Sequence, residues 1–153
     1  MILSTLENKK RVETESSDVI FDCECDLLCV GIGAAGGYAA LAAAREGISV
    51  IAVEKDANVG GMPVNGRVTF YYYGFGGGSF ERNDEKGKEY RDIFGASADH
   101  NNSDLMQIML YRSLKENGAE IMTHTVITGI YLEGKRVVGA RLFARGNSLS
   151  IRS

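Results

Sequence analysis

The chain has 153 residues, with 17 Lys+Arg against 20 Asp+Glu, a formal net charge of −3, and 44% hydrophobic and 24% charged residues. That length suits one domain or part of one, and the composition is too apolar for a disordered chain. The mild acidity argues against a nucleic-acid binder, which carries a basic stripe. Lys135, Arg136, Arg141, Arg145 and Arg152 give residues 133–153 a basic bias, read as solvated strand faces. Nineteen glycines accompany a single Pro without a G-X-Y period. They mark places where the backbone needs positive φ or close approach.

Residues 1–22 read as a polar arm with loose order, and residues 23–153 as one domain. The first 20 residues lack the apolar core of a signal peptide. Cys23, Cys25 and Cys29 have odd numbers and would share one face of an extended strand. Three thiols so close, without a nearby His, are neither a disulfide framework nor a zinc set. They read as small core side chains in a reducing compartment, most simply the cytoplasm. Leu27–Ala44 is uncharged, but glycines break it near its middle, so it is not expected to span a membrane.

Residues 26–30 form an apolar run suited to a strand buried on both faces of a parallel sheet. Residues 34–46 are Ala-rich and helical, with Gly47 as the stop. Residues 48–53 make a second buried strand, completing a βαβ unit. Residues 56–80 are a Gly-rich, aromatic loop region, and 81–102 a polar surface loop or short helix. Ser103 or Asp104 caps a helix to about Asn117, whose apolar face is Met106, Met109, Leu110 and Leu114. Residues 119–130 return as a strand, giving a second crossover. Residues 128–152 hold three β runs split at Glu133-Gly134 and Gly146-Asn147, a β-meander.

Within the first crossover stands Gly31-x-Gly33-x-x-Gly36, between strand and helix as a dinucleotide-binding turn requires. Gly31 permits the tight turn, Gly33 lets a pyrophosphate approach bare backbone, and Gly36 lets the helix pack closely on the sheet. The N–H groups of the first helical turn, at Ala34 and Ala35, then face the phosphates. Small residues continue at Ala40 and Gly47, and Glu54 ends the second strand 18 residues after Gly36. Its carboxylate can accept from ribose hydroxyls and would repel a 2′-phosphate, which disfavours NADP. These positions alone do not separate NAD from FAD.

Gly31-Ile-Gly-Ala-Ala-Gly36, Glu54-Lys55 and Gly60-Gly61-Met62 together resemble the N-terminal part of FAD-dependent oxidoreductases of the fumarate-reductase-like class. The resemblance implies a Rossmann-like α/β core with a parallel sheet and C-terminal meander. It implies FAD lying along the first strand, with Lys55, Gly60, Gly61 and Met62 near it and backbone contact to adenine near Val126. Residues 61–74 resemble the flavin-side loop. The family's chain continues past the meander, so the fold is expected to be incomplete here, with a partner chain or further sequence supplying the rest of the flavin site. No His lies between Gly60 and Ser79, which excludes a flavin bond to His there. No Cys follows Cys29, which excludes a downstream redox pair.

The expected function is that of the FAD-binding portion of an oxidoreductase moving hydride between flavin and a small molecule, inactive alone. The alternatives are an NAD-binding dehydrogenase domain and a non-catalytic flavin-binding subunit. His100 and His124 read as surface residues, and Arg67 as a solvated loop cation. Tyr71, Tyr72 and Tyr73 could stack near the flavin or pack on the sheet. No metal set or catalytic triad is present.

Overall fold

A computed structural model describes residues 1–69, 77–90 and 102–153. Nine strands are described: β1 (Ile2–Glu7), β2 (Lys10–Glu15), β3 (Cys23–Glu24), β4 (Leu27–Val30), β5 (Val50–Val53), β6 (Glu120–Met122), β7 (Thr125–Glu133), β8 (Arg136–Ala144) and β9 (Asn147–Arg152). The helices are α1 (Ala34–Arg45), α2 (Met62–Asn65), α3 (Ser79–Lys88) and, numbered here in chain order, α4 (Ser103–Glu116).

Two sheets result. A parallel sheet has the order β4-β5-β6, and a larger sheet the order β2-β1-β7-β8-β9-β3. The fold is α/β in three layers. Every residue of β5 is buried, and alternate residues serve opposite faces. Val50 and Ala52 join Leu41, Ala44, Leu110 and Leu114 beneath the helices. Ile51 and Val53 join Ala140, Leu142 and Ile151 of the meander. The helical layer thus covers one face of the parallel sheet, and the meander covers the other.

Several expectations need correction. Strand β4 packs on both faces, Leu27 and Cys29 toward the helices and Leu28 toward the meander, but only in part: among the described residues it is an edge strand paired with β5 alone, and Val30 is exposed. Nor do the cysteines share one strand. Cys23 lies exposed in β3 beside β9, whereas Cys29 lies half-buried in β4 of the other sheet. The single strand expected over 119–130 is two, broken at Thr123-His124, where His124 takes φ 53° and the chain passes between sheets. The cap of α4 is Asn102, whose side chain accepts from the N–H groups of Asp104 and Leu105. That leaves the Ser103 hydroxyl free for another partner.

The first residues are ordered into a hairpin, unlike the loose arm expected. Strands β1 and β2 pair over their whole length, and β1 pairs with β7 from Ile2↔Leu132 to Ser4↔Ile130. The turn residues Asn8 and Lys9 both have positive φ, the geometry that matches strand twist in a two-residue hairpin. Gly129 makes the docking possible, since a Cβ there would stand 2.9 Å from Leu3 Cδ1. Where the hairpin parts from β7, a cleft of about 800 Å³ opens between Leu6, Arg11, Ile127 and Lys135, away from the motif residues.

Candidate dinucleotide-binding site

The glycine motif occupies the turn from β4 into α1. Gly31 has φ +95°, which L side chains rarely adopt, and its N–H bonds the Val53 carbonyl at 2.8 Å. Gly36 is required for packing: a Cβ would lie 2.1 Å from the Gly31 carbonyl oxygen. The half-buried Cys29 thiol sits beneath it and donates to the Gly36 carbonyl at 3.2 Å; burial pushes this thiol's pKa up. Gly33 is the N-cap of α1 and provides no side-chain cap. Ala34 and Ala35 are exposed, so small side chains flank the positive end of the helix.

Glu54 is 8% exposed at the end of β5. Its Oε2 accepts the Ile32 N–H at 2.8 Å and its Oε1 the Asp56 N–H at 3.2 Å. An ionised carboxylate offers about four lone-pair sites, so acceptor capacity remains for hydroxyls. The Glu54 backbone also bonds Met122 O and Thr125 N–H, tying β5 to β6 and to the start of β7. Val126, the next residue, is exposed in β7. The exposed Lys55 bonds Asp56 at 2.7 Å, and that contact raises its pKa.

The second glycine pair folds back on the first loop. Gly60 N–H bonds the Ile32 carbonyl at 2.6 Å. Gly61 has φ +63°, and a Cβ on it would lie 2.9 Å from Gly33 Cα and 3.1 Å from Ala34 N. The expected bare approach at Gly33 is therefore shared: a Cβ on Gly33 would point toward Gly61 Cα, at 3.9 Å. Met62 follows, largely exposed, at the first position of α2.

The structure thus brings Gly31, Gly33, Ala34, Ala35, Gly36, Glu54, Gly60 and Gly61 together. Lys55, Met62 and Val126 follow Glu54, Gly61 and Thr125 in the chain. Arg67 has φ 54° and pairs with Asp104 at 3.3 Å, both exposed. His124 is exposed in the link between sheets. Tyr71, Tyr72, Tyr73 and His100 lie outside the described residues. Sequence reasoning missed Asp56 and the Ser103 hydroxyl. Asp56 carried no motif, and Ser103 read as a cap. No cluster suited to a metal ion occurs among the described residues.

These groups fit a dinucleotide: an uncapped helix start, loops without side chains and a carboxylate at the strand end. The FAD dependent oxidoreductase family matches residues 26–153. A search of curated proteins found no match. Among solved structures, 3-ketosteroid-delta4-(5alpha)-dehydrogenase from Rhodococcus jostii RHA1 is similar at 14% identity and TM-score 0.62, over 88% of this chain and 45% of that one. L-proline dehydrogenase from P. horikoshii is similar at 17% identity and TM-score 0.57, over 91% and 23%. A geranylgeranyl bacteriochlorophyll reductase-like protein from Thermoplasma acidophilum is similar at 17% identity and TM-score 0.55, over 85% and 37%. The match to this chain therefore spans less than half of each of these three. The chain belongs to the FAD dependent oxidoreductase family, and its cofactor is FAD.

Proposed function

We propose that the chain is the cofactor-binding part of an oxidoreductase that moves hydride between FAD and a small-molecule substrate, and that it is inactive alone. The observation that carries this reading is the Glu54 carboxylate at the strand end, bonded to Ile32 beside the uncapped start of α1. The N–H groups at Ala34 and Ala35 take the diphosphate, and Glu54 takes the neighbouring ribose. Gly60 and Gly61 bring bare backbone alongside, Lys55 and Met62 border the cofactor, and backbone near Val126 meets the adenine. When bound, FAD supplies the redox chemistry, while the chain binds and orients it. The substrate walls come from sequence or a partner chain beyond these residues.

A second reading, a flavin-binding subunit that needs a partner, is favoured by β4. Among the described residues it pairs on one side only, although the Leu28 N–H on its free side is taken by the Ser153 hydroxyl at 3.1 Å. An open edge of this kind accepts another strand. No described helix is long and apolar enough to cross a membrane. The three free thiols suit a cytoplasmic setting.

The test is a thermal-shift series with FAD, NAD and NADP, together with a visible spectrum of the FAD-loaded chain. Stabilisation by FAD with bound flavin bands supports the reading. Stabilisation by NAD alone would replace it with a dehydrogenase domain. A chain that takes up FAD but forms a complex with a co-expressed neighbour favours the subunit reading.

A further inference from the structure

Helix α2 has only four residues and no side-chain cap, too short to hold its own geometry. It directly follows Gly61, whose backbone abuts Gly33 and Ala34. Its placement therefore decides where the 60–61 backbone lies against the start of α1. Two contacts fix it. Val64, 5% exposed, packs against Gly60, where a Cβ would stand 2.4 Å from Val64 Cγ2. On the side facing α4, the Ser103 hydroxyl donates to the Pro63 carbonyl at 2.8 Å.

Ser103 is 2% exposed, and Asn102 already caps the helix, so its hydroxyl is committed to Pro63. Two exposed links join the same pieces: Gln107 Nε2 donates to Asn58 Oδ1 at 3.0 Å, and Arg67 pairs with Asp104. Exposed polar links contribute little. The bond from the buried Ser103 carries the connection.

We infer that Ser103 is a positioning residue: through Pro63 it holds the 60–64 segment in place for the flavin half of FAD, with a smaller effect on the adenosine diphosphate half. This rests on the reading of residues 31–61 as the FAD cradle. Glu54 bonds the first loop at Ile32, and Gly61 abuts it further along at Gly33 and Ala34. With one ribose at Glu54 and the diphosphate at the helix start, the remainder of the cofactor runs past residues 60–64.

The test is calorimetric titration of the 153-residue chain with FAD and, separately, with ADP, which carries only the adenosine diphosphate half. In Ser103→Ala, affinity for FAD falls about fivefold, the size expected for one lost hydrogen bond, and affinity for ADP falls by less. Ser103→Cys keeps the size with a weaker donor and falls between. Ser113→Ala is the control, since Ser113 is 0% exposed on the same helix and removed from α2. It lowers the unfolding temperature and leaves the FAD-to-ADP ratio unchanged. Equal loss of both ligands in Ser103→Ala, or no loss of either, would overturn the inference. If Ser103→Ala does not fold, Ser103→Cys decides by the same criteria. If the unsubstituted chain does not bind FAD, the cofactor reading fails first, and this inference with it.

Discussion

The Glu54 carboxylate accepts the Ile32 N–H at 2.8 Å, so the residue expected to hold a ribose also holds the glycine turn. Its other oxygen accepts from Asp56. Glu54→Gln keeps one acceptor but turns an amide N–H₂ toward the second donor. A buried donor left without a partner costs about 1–3 kcal/mol. Urea unfolding without cofactor should show a loss in this range, and FAD titration a weaker complex. Glu54→Ala should lose more in both assays. Unchanged unfolding of Glu54→Gln would mean that the carboxylate does not hold the turn.

Gly36 and Gly31 are both motif glycines, but they fail differently when given a side chain. A Cβ on Gly36 meets the Gly31 carbonyl at 2.1 Å, and backbone cannot yield cheaply. A Cβ on Gly31 meets nothing within 4 Å, but its φ of +95° strains any L residue. Overpacking typically costs about 1–3 kcal/mol and left-handed backbone about 1–2 kcal/mol. Gly36→Ala should therefore lower the melting temperature more than Gly31→Ala and should lose FAD by displacing α1 from β4. The opposite order in thermal unfolding would contradict the close-packing role of Gly36.

The crossover strand–turn–helix–strand was legible because three independent signals agreed: an apolar run, the glycine spacing and an Ala-rich helix ended by Gly47. The meander was legible from its turn residues. What sequence missed lies at long range. Whether Leu27–Val30 is central or an edge depends on neighbours that a local apolar run does not specify. The Asn8-Lys9 turn lacks the usual Gly, so the hairpin gave no strong local signal. At Thr123-His124 a strand ends and another begins with no Gly or Pro to mark it. In the site, Glu54 was legible by spacing, whereas its bonds to Ile32 and Asp56 depend on how β5 meets the first loop. The role of Ser103 depended on Asn102 taking the cap.

Asp26, just before β4, accepts from both the backbone N–H and the hydroxyl of Ser49, just before β5. These bonds hold its carboxyl below the ordinary value of 3.8, with the Ser49 hydroxyl as the largest cause. A carboxylate with a lowered folded pKa stabilises the fold above its unfolded pKa, and that contribution fades as pH falls through the folded value. The wild-type chain should therefore lose stability relative to Asp26→Asn as pH falls below about 3.8. Asp26→Asn should be the less stable of the two at neutral pH, and the difference should shrink in acid. Parallel pH curves for the two proteins in chemical unfolding would show that Asp26 does not carry this dependence.

The hairpin docks on β7 through Gly129, whose missing side chain leaves room for Leu3, Ser4 and Thr5. A Cβ there would lie 3.0 Å from the Ser4 carbonyl, so any side chain must push β1 away. Gly129→Val should free β1 and β2 while leaving β7 paired with β8 along its other edge. A two-stranded hairpin without that support is marginal in water. Hydrogen exchange should show residues 2–15 losing protection by about tenfold or more, which corresponds to at least about 1.4 kcal/mol. FAD affinity should stay unchanged, since the hairpin strands pair with each other and with Ile130–Leu132 and not with a motif residue. Retained protection in residues 2–15 would place their support elsewhere than β7. A loss of FAD comparable to that of Gly36→Ala would show instead that the outer sheet and the glycine turn are mechanically coupled.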